Sequence, residues 1–257
     1  MLILLPPSEG KSAPRRGASL DLGKLSFADL GPAREQVLDA LVALCEGDRA
    51  KAAEVLGVGA TQHDLVDLNL RLRAAPTARA DQVYTGVLYD ALDAATLSPA
   101  AKRRAAARLA VTSSLFGLVR PGDRIPAYRL SGDTTLPGLG AVAGHWRDHL
   151  GPAVGAAVGR GLLVDLRSTT YVAFWRPTPD VATASVRVLH EHRGTRKVVS
   201  HFNKATKGRI VRALLESGAD PRTPARLADA LRDLGWRVEA GATTRSGAVL
   251  DVVVSEL

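Results

Sequence analysis

The hydrophobic period changes near the middle of this chain, and that change is the strongest constraint on its fold. In residues 32–47 apolar side chains recur at positions 37, 38, 41, 42, 44 and 45, a helical stripe that opens at Pro32 and closes at Gly47. Beyond residue 160 the chain turns to short, Val-rich segments with strand-like alternation. The combination predicts an α+β fold.

The predicted elements cover most of the chain. Strands are expected at 2–5, 161–168, 184–192, 196–202, 236–240 and 248–255. Helices are expected at 32–47, 48–57, 63–73, from Pro99 to between Leu115 and Gly117, at 203–217 and at 223–235. The segments 184–202 and 236–255 resemble hairpins, and the strand LILL is ended by Pro6 and Pro7. We therefore predict a mixed β-sheet that includes the N-terminal strand, in a single domain spanning residues 1–257.

The positive charge of the chain is concentrated in two segments. The formal net charge is +8 and the sequence pI is about 10.0. Residues 99–129 hold seven basic residues and one acidic residue, and residues 187–212 hold eight basic residues and one acidic residue. If the two segments meet in space, they form a basic face that attracts nucleic acid or phosphorylated metabolites. The alternative is that arginine is scattered over solvated faces.

The sequence predicts a cytoplasmic protein that does not enter a membrane and carries no metal or cofactor. The opening run MLILL is too short for a signal segment, and no window approaches the roughly 20 apolar residues of a membrane span. Cys45, the single cysteine, lies in an apolar helical row and is expected to be buried. His145 and His149 are four residues apart, without an obvious third ligand.

The segment HFNKATKGRIVRALL places cations where a helix disfavours them. Asn203 is a candidate helix cap, and Lys204, Lys207 and Arg209 follow in the first turns. Basic side chains at that end oppose the helix dipole, so their presence favours a bound anion. The alternative is that these are solvated charges.

The stretch SSLFGLVRPGDRIPAYRL, residues 113–130, combines a glycine turn with arginines. Gly117 permits backbone conformations that bring N–H groups close to a ligand, and Arg120, Arg124 and Arg129 are suited to phosphate. A helix, a glycine hairpin and flanking arginines also compose a helix-hairpin-helix DNA-backbone binder. However, DRIPAYRL resembles an extended segment more than a second helix, and a solvated loop is the alternative.

Two predicted strand ends carry candidates for acid–base chemistry. Glu9 and Lys11 follow the first strand, within a PPSEGKS segment that lacks the full phosphate-loop pattern. Asp165, Arg167 and Tyr171 lie at and after another strand. If these loops meet, Glu9, Lys11, Asp165 and Tyr171 are candidate catalytic residues, and Lys11 and Arg167 are candidate phosphate ligands. Structural ion pairing is the alternative.

The chain resembles the YaaA family of bacterial peroxide-stress proteins in the order and spacing of several blocks. These are MLILLPPSEGKS (1–12), VYTGVLYDAL (83–92), SSLFGLVRPGDRIPAYRL (113–130), GHWRDHL (144–150), VDLRSTTYVAFW (164–175) and VVSHFNKATKGRIVRALL (198–215). The resemblance implies a single cytoplasmic α+β domain that limits iron-driven oxidative damage by hydrogen peroxide. It also implies binding of double-stranded or distorted DNA through a positively charged cleft.

The resemblance places functional elements at particular positions. It assigns a helix-hairpin-helix-like element to Leu115–Gly122, with Lys11, Arg129, Lys204 and Lys207 in the cleft. It brings no settled catalytic mechanism. The start departs from the family, since PPSEGKS stands where many members resemble SPAKT, which puts the role of Lys11 in doubt.

These observations support three hypotheses of function. The leading one is a DNA-binding protein of the peroxide-stress response, held mainly by phosphate contacts. The second is an enzyme acting on a nucleotide-like or other anionic small molecule in the same basic pocket. The third is an interaction protein whose charge serves solubility. An open groove as wide as a duplex favours DNA, whereas a closed pocket around Glu9, Lys11, Asp165 and Tyr171 favours catalysis.

Overall fold

The structure, a computed structural model, has a mixed β-sheet at its centre, with helices packed around it. It describes residues 1–59, 62–192, 195–198, 200–244 and 247–255, with the backbone alone at 200–202 and 242. The strands are β1 (Leu2–Leu5), β2 (Ala78–Arg79), β3 (Leu109–Ser113), β4 (Gly117–Val119), β5 (Arg124–Ile125), β6 (Thr135–Leu136), β7 (Gly140–Ala141), β8 (Leu163–Asp165), β9 (Thr183–His192), β10 (Thr195–Lys197), β11 (Arg237–Thr244) and β12 (Gly247–Val254). The helices are α1 (Gly31–Glu46), α2 (Arg49–Val55), α3 (Asp64–Leu70), α4 (Ala80–Val83), α5 (Val87–Leu92), α6 (Pro99–Arg108), α7 (Val142–Val158), α8 (Thr169–Val172), α9 (Ser200–Ser217) and α10 (Pro224–Asp233), with 3₁₀ turns at Leu22–Lys24, Ala28–Leu30 and Ala94–Thr96.

The main sheet is parallel at its centre and antiparallel at its edges. The strand order is β11-β12-β9-β8-β1-β3-β4, and β10 pairs with the end of β9. Strand β1 is parallel to β3 and β8, and the parallel run continues through β9 to β12. Strands β4 and β11 are antiparallel to their neighbours. The predicted α+β class and mixed sheet are confirmed, and the N-terminal strand lies inside the sheet.

The central position of β1 follows from its sequence. Its four residues, Leu2–Leu5, are all buried, as expected of a parallel strand covered by helices on both faces. Pro6 and Pro7 then end the ladder because proline has no N–H to donate. In α1 the predicted apolar stripe is buried as well, including Cys45, except that Val42 is partly exposed.

The chain connections create a crevice beside β1. From β1 the chain passes through α1–α6 to β3 on one side, whereas from β8 it passes to β9 on the other side. Neighbouring strands whose connections diverge in this way leave a crevice outside their carboxyl ends, where open α/β sheets bind ligands. In this chain the crevice lies beyond Leu5 and Asp165.

The predicted helix from Pro99 through Leu115 is wrong in its second half. Helix α6 ends at Arg108, and Leu109–Ser113 forms β3, which is buried between β1 and β4. The alanine-rich part forms the helix, whereas the apolar run around Val111 is more stable as a buried strand. The turn that follows joins two strands, so the predicted helix-hairpin-helix-like element is not formed in this described segment.

The strand pairing of the two predicted C-terminal hairpins is confirmed, but the strand predicted at 196–202 is wrong at its end, because β10 stops at Lys197 and α9 begins at Ser200. Strands β9 and β10 are antiparallel, as are β11 and β12. Residues 193–194 of the first turn and 245–246 of the second lie outside the described residues, and Gly247, which closes the second turn, has φ +115°. Across the part of the chain that is described, no helix is long and apolar enough to cross a membrane.

Candidate functional site at the carboxyl edge of the central strands

Lys11 lies in the loop after β1, at the carboxyl edge of the sheet. Its Nζ donates hydrogen bonds to the carbonyl oxygens of Ser8, at 2.9 Å, and Glu9, at 3.3 Å. The same Nζ lies 4.2 Å from the ring centroid of Tyr128 and 5.9 Å from that of Tyr84. An ammonium over aromatic faces is stabilised by the ring quadrupole. The hydrogen-bond and ring contacts of the ammonium are thus all with neutral groups.

The environment of Lys11 changes its proton affinity. Burial lowers its pKa from 10.5 to about 8; nearby Glu9 opposes this change and Arg129 adds to it. A pKa in this range places both protonation states within reach at physiological pH, which acid–base chemistry requires. Lys11 can therefore both give up and take up a proton near physiological pH, which an exposed lysine cannot.

A chain of hydroxyl groups lies beneath Lys11. The Tyr84 and Tyr128 hydroxyls are 3.0 Å apart, and Tyr128 Oη lies 2.8 Å from Ser113 Oγ at the end of β3. Ser113 Oγ accepts a bond from the Phe116 N–H. Burial raises the pKa of both tyrosines, so these hydroxyls stay neutral. The chain can donate or accept hydrogen bonds but carries no charge to neutralise the ammonium.

Two further candidate residues complete the rim. Glu9 Oε2 accepts a bond from Arg129 Nη1 at 2.7 Å, and this pair is partly exposed. Burial raises the pKa of Tyr171, and the nearby Tyr128 and Glu9 raise it further. Glu9 and Lys11 thus lie in one loop, and Tyr171 packs on Phe174 within reach of the charge of Glu9.

The Lys11 loop is fastened to a second segment of the chain. Ser8 Oγ accepts the Thr85 N–H at 3.1 Å, and the Ser12 N–H donates to the Val83 carbonyl at 2.9 Å. Lys11 itself forms an isolated backbone bridge with Tyr84. Because these contacts fix the loop on both sides of Lys11, the amine is held in place before any ligand arrives.

Asp165, the fourth candidate, is engaged in a buried ion pair instead. Its carboxylate accepts Arg167 Nε at 2.9 Å and Nη2 at 2.7 Å. Arg167 also donates to the carbonyls of Tyr171 and Trp175. Four of its five N–H donors are used within the protein, which leaves one for an outside ligand, and the phosphate contact of Arg167 stays a prediction. The structural alternative for Asp165 holds.

Comparison with known proteins identifies the family of the chain. A family model described as peroxide stress protein YaaA matches residues 1–242. The chain belongs to the YaaA family. It is 56% identical over 261 residues to a UPF0246 protein of Streptomyces coelicolor, with 100% of both chains covered. It is 44% identical to one of Corynebacterium efficiens, with 93% and 95% covered, and 31% identical to one of Cereibacter sphaeroides, with 86% and 88% covered.

The glycine turn of this YaaA-family chain does not form the expected cradle. Gly117 is buried, and a Cβ there would lie 2.6 Å from the ring of Trp146. Arg120 donates to the carbonyls of Ala107 and Leu109, at the amino end of β3. Arg124 donates to the Thr77 carbonyl. These groups stabilise loops, and Arg120 lies at the edge opposite Lys11.

The lysine-rich helix tip lies at the carboxyl edge. Helix α9 begins at Ser200, so Asn203 stands inside it and the predicted cap is wrong. Lys207 Nζ donates to the Leu166 carbonyl at 3.2 Å, and burial lowers its pKa while Asp165 opposes that change. Lys204 and Arg209 are exposed. Since Arg120 lies at the other edge, the predicted joint receptor of hairpin and helix tip is not formed.

Two arginines of the first basic segment serve a structural purpose where α6 packs against α9. Arg104 donates to the carbonyls of Leu215, at 2.6 Å, and Glu216, at 3.0 Å. Arg108 donates to the Ala219 carbonyl at 2.9 Å. Arginines at a helix C-terminus satisfy its last carbonyls and complement its dipole. These two cations of the predicted basic face are therefore committed to closing α9.

Sequence reasoning missed the tyrosine and serine partners of Lys11. Tyr84, Tyr128 and Ser113 were not among the candidate site residues. All three are buried, and the two tyrosine rings lie next to the titratable amine of Lys11. The available signal was their position in the blocks 83–92 and 113–130, which carry the family resemblance.

Proposed function

We propose that this YaaA-family chain serves the peroxide response by binding a compact anionic small molecule at Lys11 and acting on it through proton transfer. One observation carries this proposal: a partly buried amine, held by the carbonyls of Ser8 and Glu9, whose pKa is lowered to about 8, at the carboxyl edge of β1 and β8. In this proposal Lys11 binds the anion when protonated, and Arg129 supplies a second cation if Glu9 turns away.

The proposal predicts that binding depends on pH. An anion near Lys11 favours the ammonium, so binding weakens as pH rises above about 8, where the free amine loses its proton. The Lys11→Arg variant keeps its charge to much higher pH and should keep binding there. This difference separates Lys11 from general surface attraction.

The test is calorimetric titration with inorganic phosphate and adenosine 5′-monophosphate at low salt, at pH 7 and pH 9. Lys11→Met should abolish binding, and Lys204→Met is the matched control because Lys204 is an exposed lysine on α9. Wild-type binding should fall at pH 9 while that of Lys11→Arg persists. Equal affinity in the wild type and Lys11→Met, or no binding of either probe, would contradict the proposal.

A second candidate function is binding of double-stranded or distorted DNA, which the exposed cations on α6 and α9 favour. Lys102 and Arg103 on α6, and Lys204 and Arg209 on α9, are all exposed. Such groups suit phosphate contacts without base readout. Each contact should add about −0.9 to the slope of log affinity against log salt.

Opposite variants separate the two functions. Binding to a fluorescent DNA duplex should weaken in a Lys204→Gln/Arg209→Gln variant and remain in Lys11→Met if DNA is the partner. Anisotropy measured at several salt concentrations gives the slope for each variant. A flat salt response, or an unchanged slope in the double variant, would exclude phosphate contacts by these side chains.

A further inference from the structure

A cavity of about 610 Å³ lies apart from Lys11, between α5, α6 and the sheet. Its floor is formed by buried apolar side chains, among them Leu5, Leu92, Leu97, Leu109 and Val111. The volume falls within the range of about 300–1,000 Å³ that is typical of ligand pockets.

Tyr89 forms the wall between this cavity and the Lys11 site. Its ring stacks on that of Tyr84 at 5.5 Å between centroids, and its hydroxyl donates to the Pro6 carbonyl at 2.7 Å. The hydroxyl of Tyr89 therefore already has a partner outside the cavity. A ligand with buried polar groups would find few partners on this floor, and unpaired polar groups are costly to bury. A nucleobase or a sugar is disfavoured.

The rim of the cavity is positively charged. Lys102 and Arg103 stand exposed on α6, and within the described ranges no ion pair involves either. Arg79, on the same rim, pairs with Asp81 at 2.6 Å, so those two charges offset one another. The rim therefore offers two uncompensated cations above an apolar floor.

We propose that this cavity binds an amphipathic organic anion, an alkyl carboxylate whose chain lies on the apolar floor and whose carboxylate contacts Lys102 and Arg103. The two cations of the rim favour an anionic headgroup. The floor offers few hydrogen-bonding groups and therefore favours an alkyl chain. The site is independent of the Lys11 function. Chain length should govern affinity, with roughly fourfold tighter binding for each added methylene, as expected of buried apolar area.

The experiment is calorimetric titration with sodium octanoate and sodium decanoate below their micellar concentrations, with decyltrimethylammonium as the opposite-charge probe. Decanoate should bind at one site, roughly fifteenfold more tightly than octanoate, and decyltrimethylammonium should not bind measurably. Equal affinity for the two carboxylates, or equal binding of the cation, would overturn the proposal.

Variants test the rim without disturbing the core. Lys102→Gln/Arg103→Gln should weaken decanoate binding at least tenfold. The matched control is Arg15→Gln/Arg16→Gln, because these are also adjacent exposed cations and they lie outside the cavity. If both double variants weaken binding equally, the effect is one of net charge and the assignment is wrong.

A measurement on the wild-type protein locates the ligand directly. In methyl NMR spectra, decanoate should shift the resonances of Leu92 and Leu97 and leave those of Leu227 and Leu231 on α10 unchanged. Lys11→Met should give the same shifts, which distinguishes this site from the proposed function. Shifts confined to α10, or spread evenly over the protein, would contradict the proposal.

Discussion

Replacing Asp165 with asparagine should destabilise the fold strongly, because this carboxylate compensates a buried guanidinium. The Arg167 side chain is fully buried, and two of its nitrogens donate to Asp165 at 2.9 and 2.7 Å. Asparagine keeps the shape of the side chain but removes its charge. The cation is then left in the core with only neutral acceptors.

The size of the loss follows from that geometry. Removing one partner of a buried ion pair costs about 3–5 kcal/mol. The asparagine oxygen still accepts one bond, and Arg167 keeps the carbonyls of Tyr171 and Trp175, so the lower end, about 3 kcal/mol, is expected. In a chain of this length that corresponds to a fall in Tm of about 6–12 °C.

The assay is urea unfolding followed by circular dichroism, with an exposed pair as the control. Arg49→Gln removes a contact to Asp67, and because both side chains are about half exposed, a loss under about 1 kcal/mol is expected. The double variant Asp165→Leu/Arg167→Met should lose less than Asp165→Asn alone, since no charge is left buried. A loss in Asp165→Asn no larger than in the control would refute the reasoning.

Three further predictions concern single positions. Gly117→Ala should lower the free energy of unfolding by about 2–4 kcal/mol, because φ is +69° and a Cβ would lie 2.6 Å from Trp146. The control Gly235→Ala, at φ +89° in open space, should lower it by only about 1 kcal/mol. Equal losses in urea unfolding would contradict the clash with Trp146. Lys11→Met should raise the free energy of unfolding at pH 7 by about 1–3 kcal/mol, because the folded wild type holds a desolvated ammonium. The wild type gains stability from pH 8 to 10.5, where folded Lys11 is neutral and unfolded Lys11 is still charged, so the advantage of the variant should disappear over that range. An advantage independent of pH in thermal melts would contradict the lowered pKa. Arg104→Ala should lower the free energy of unfolding by about 1–2 kcal/mol and leave the salt dependence of DNA binding unchanged; a changed slope would mean that Arg104 contacts phosphate.

Sequence patterns predicted those helices and strands whose boundaries are set by neighbouring residues. The strand Leu2–Leu5 has an unbroken apolar run ended by prolines, and helix α1 has a complete stripe, so both were predictable. Strand β3 was not, because Leu109–Ser113 continues an alanine-rich helix without a stop signal. Only its burial between β1 and β4 decides the conformation, and that burial depends on residues distant in sequence.

The candidate site was predictable in part for a similar reason. A strand end followed by Ser8, Glu9 and Lys11 marks a ligand edge on general grounds. The lowered pKa of Lys11 depends on its burial and on the contacts to Tyr84 and Tyr128, which three-dimensional packing alone brings together. The charge pattern was misleading because arginine serves equally well as a phosphate ligand and as a donor to backbone carbonyls.

Arg34 illustrates this second use of arginine. It is completely buried on α1 and donates to the carbonyls of Phe116, at 3.0 Å, and Leu118, at 2.8 Å. Burial lowers its pKa to about 10, while the carboxylate of Asp123 opposes that change. Arg34 stands next to polar residues in the first turn of α1. Its position in the sequence therefore does not distinguish it from a solvated arginine.

The most direct test of the Lys11 site is titration of this side chain by NMR, with ¹³C-labelled lysine and with Lys11→Met to assign the resonance. The apparent pKa of Lys11 should be near 8 in the free protein and should rise when inorganic phosphate saturates the site. A Lys11 pKa of about 10.5, or one that phosphate leaves unchanged, would rule out a desolvated amine that receives an anion.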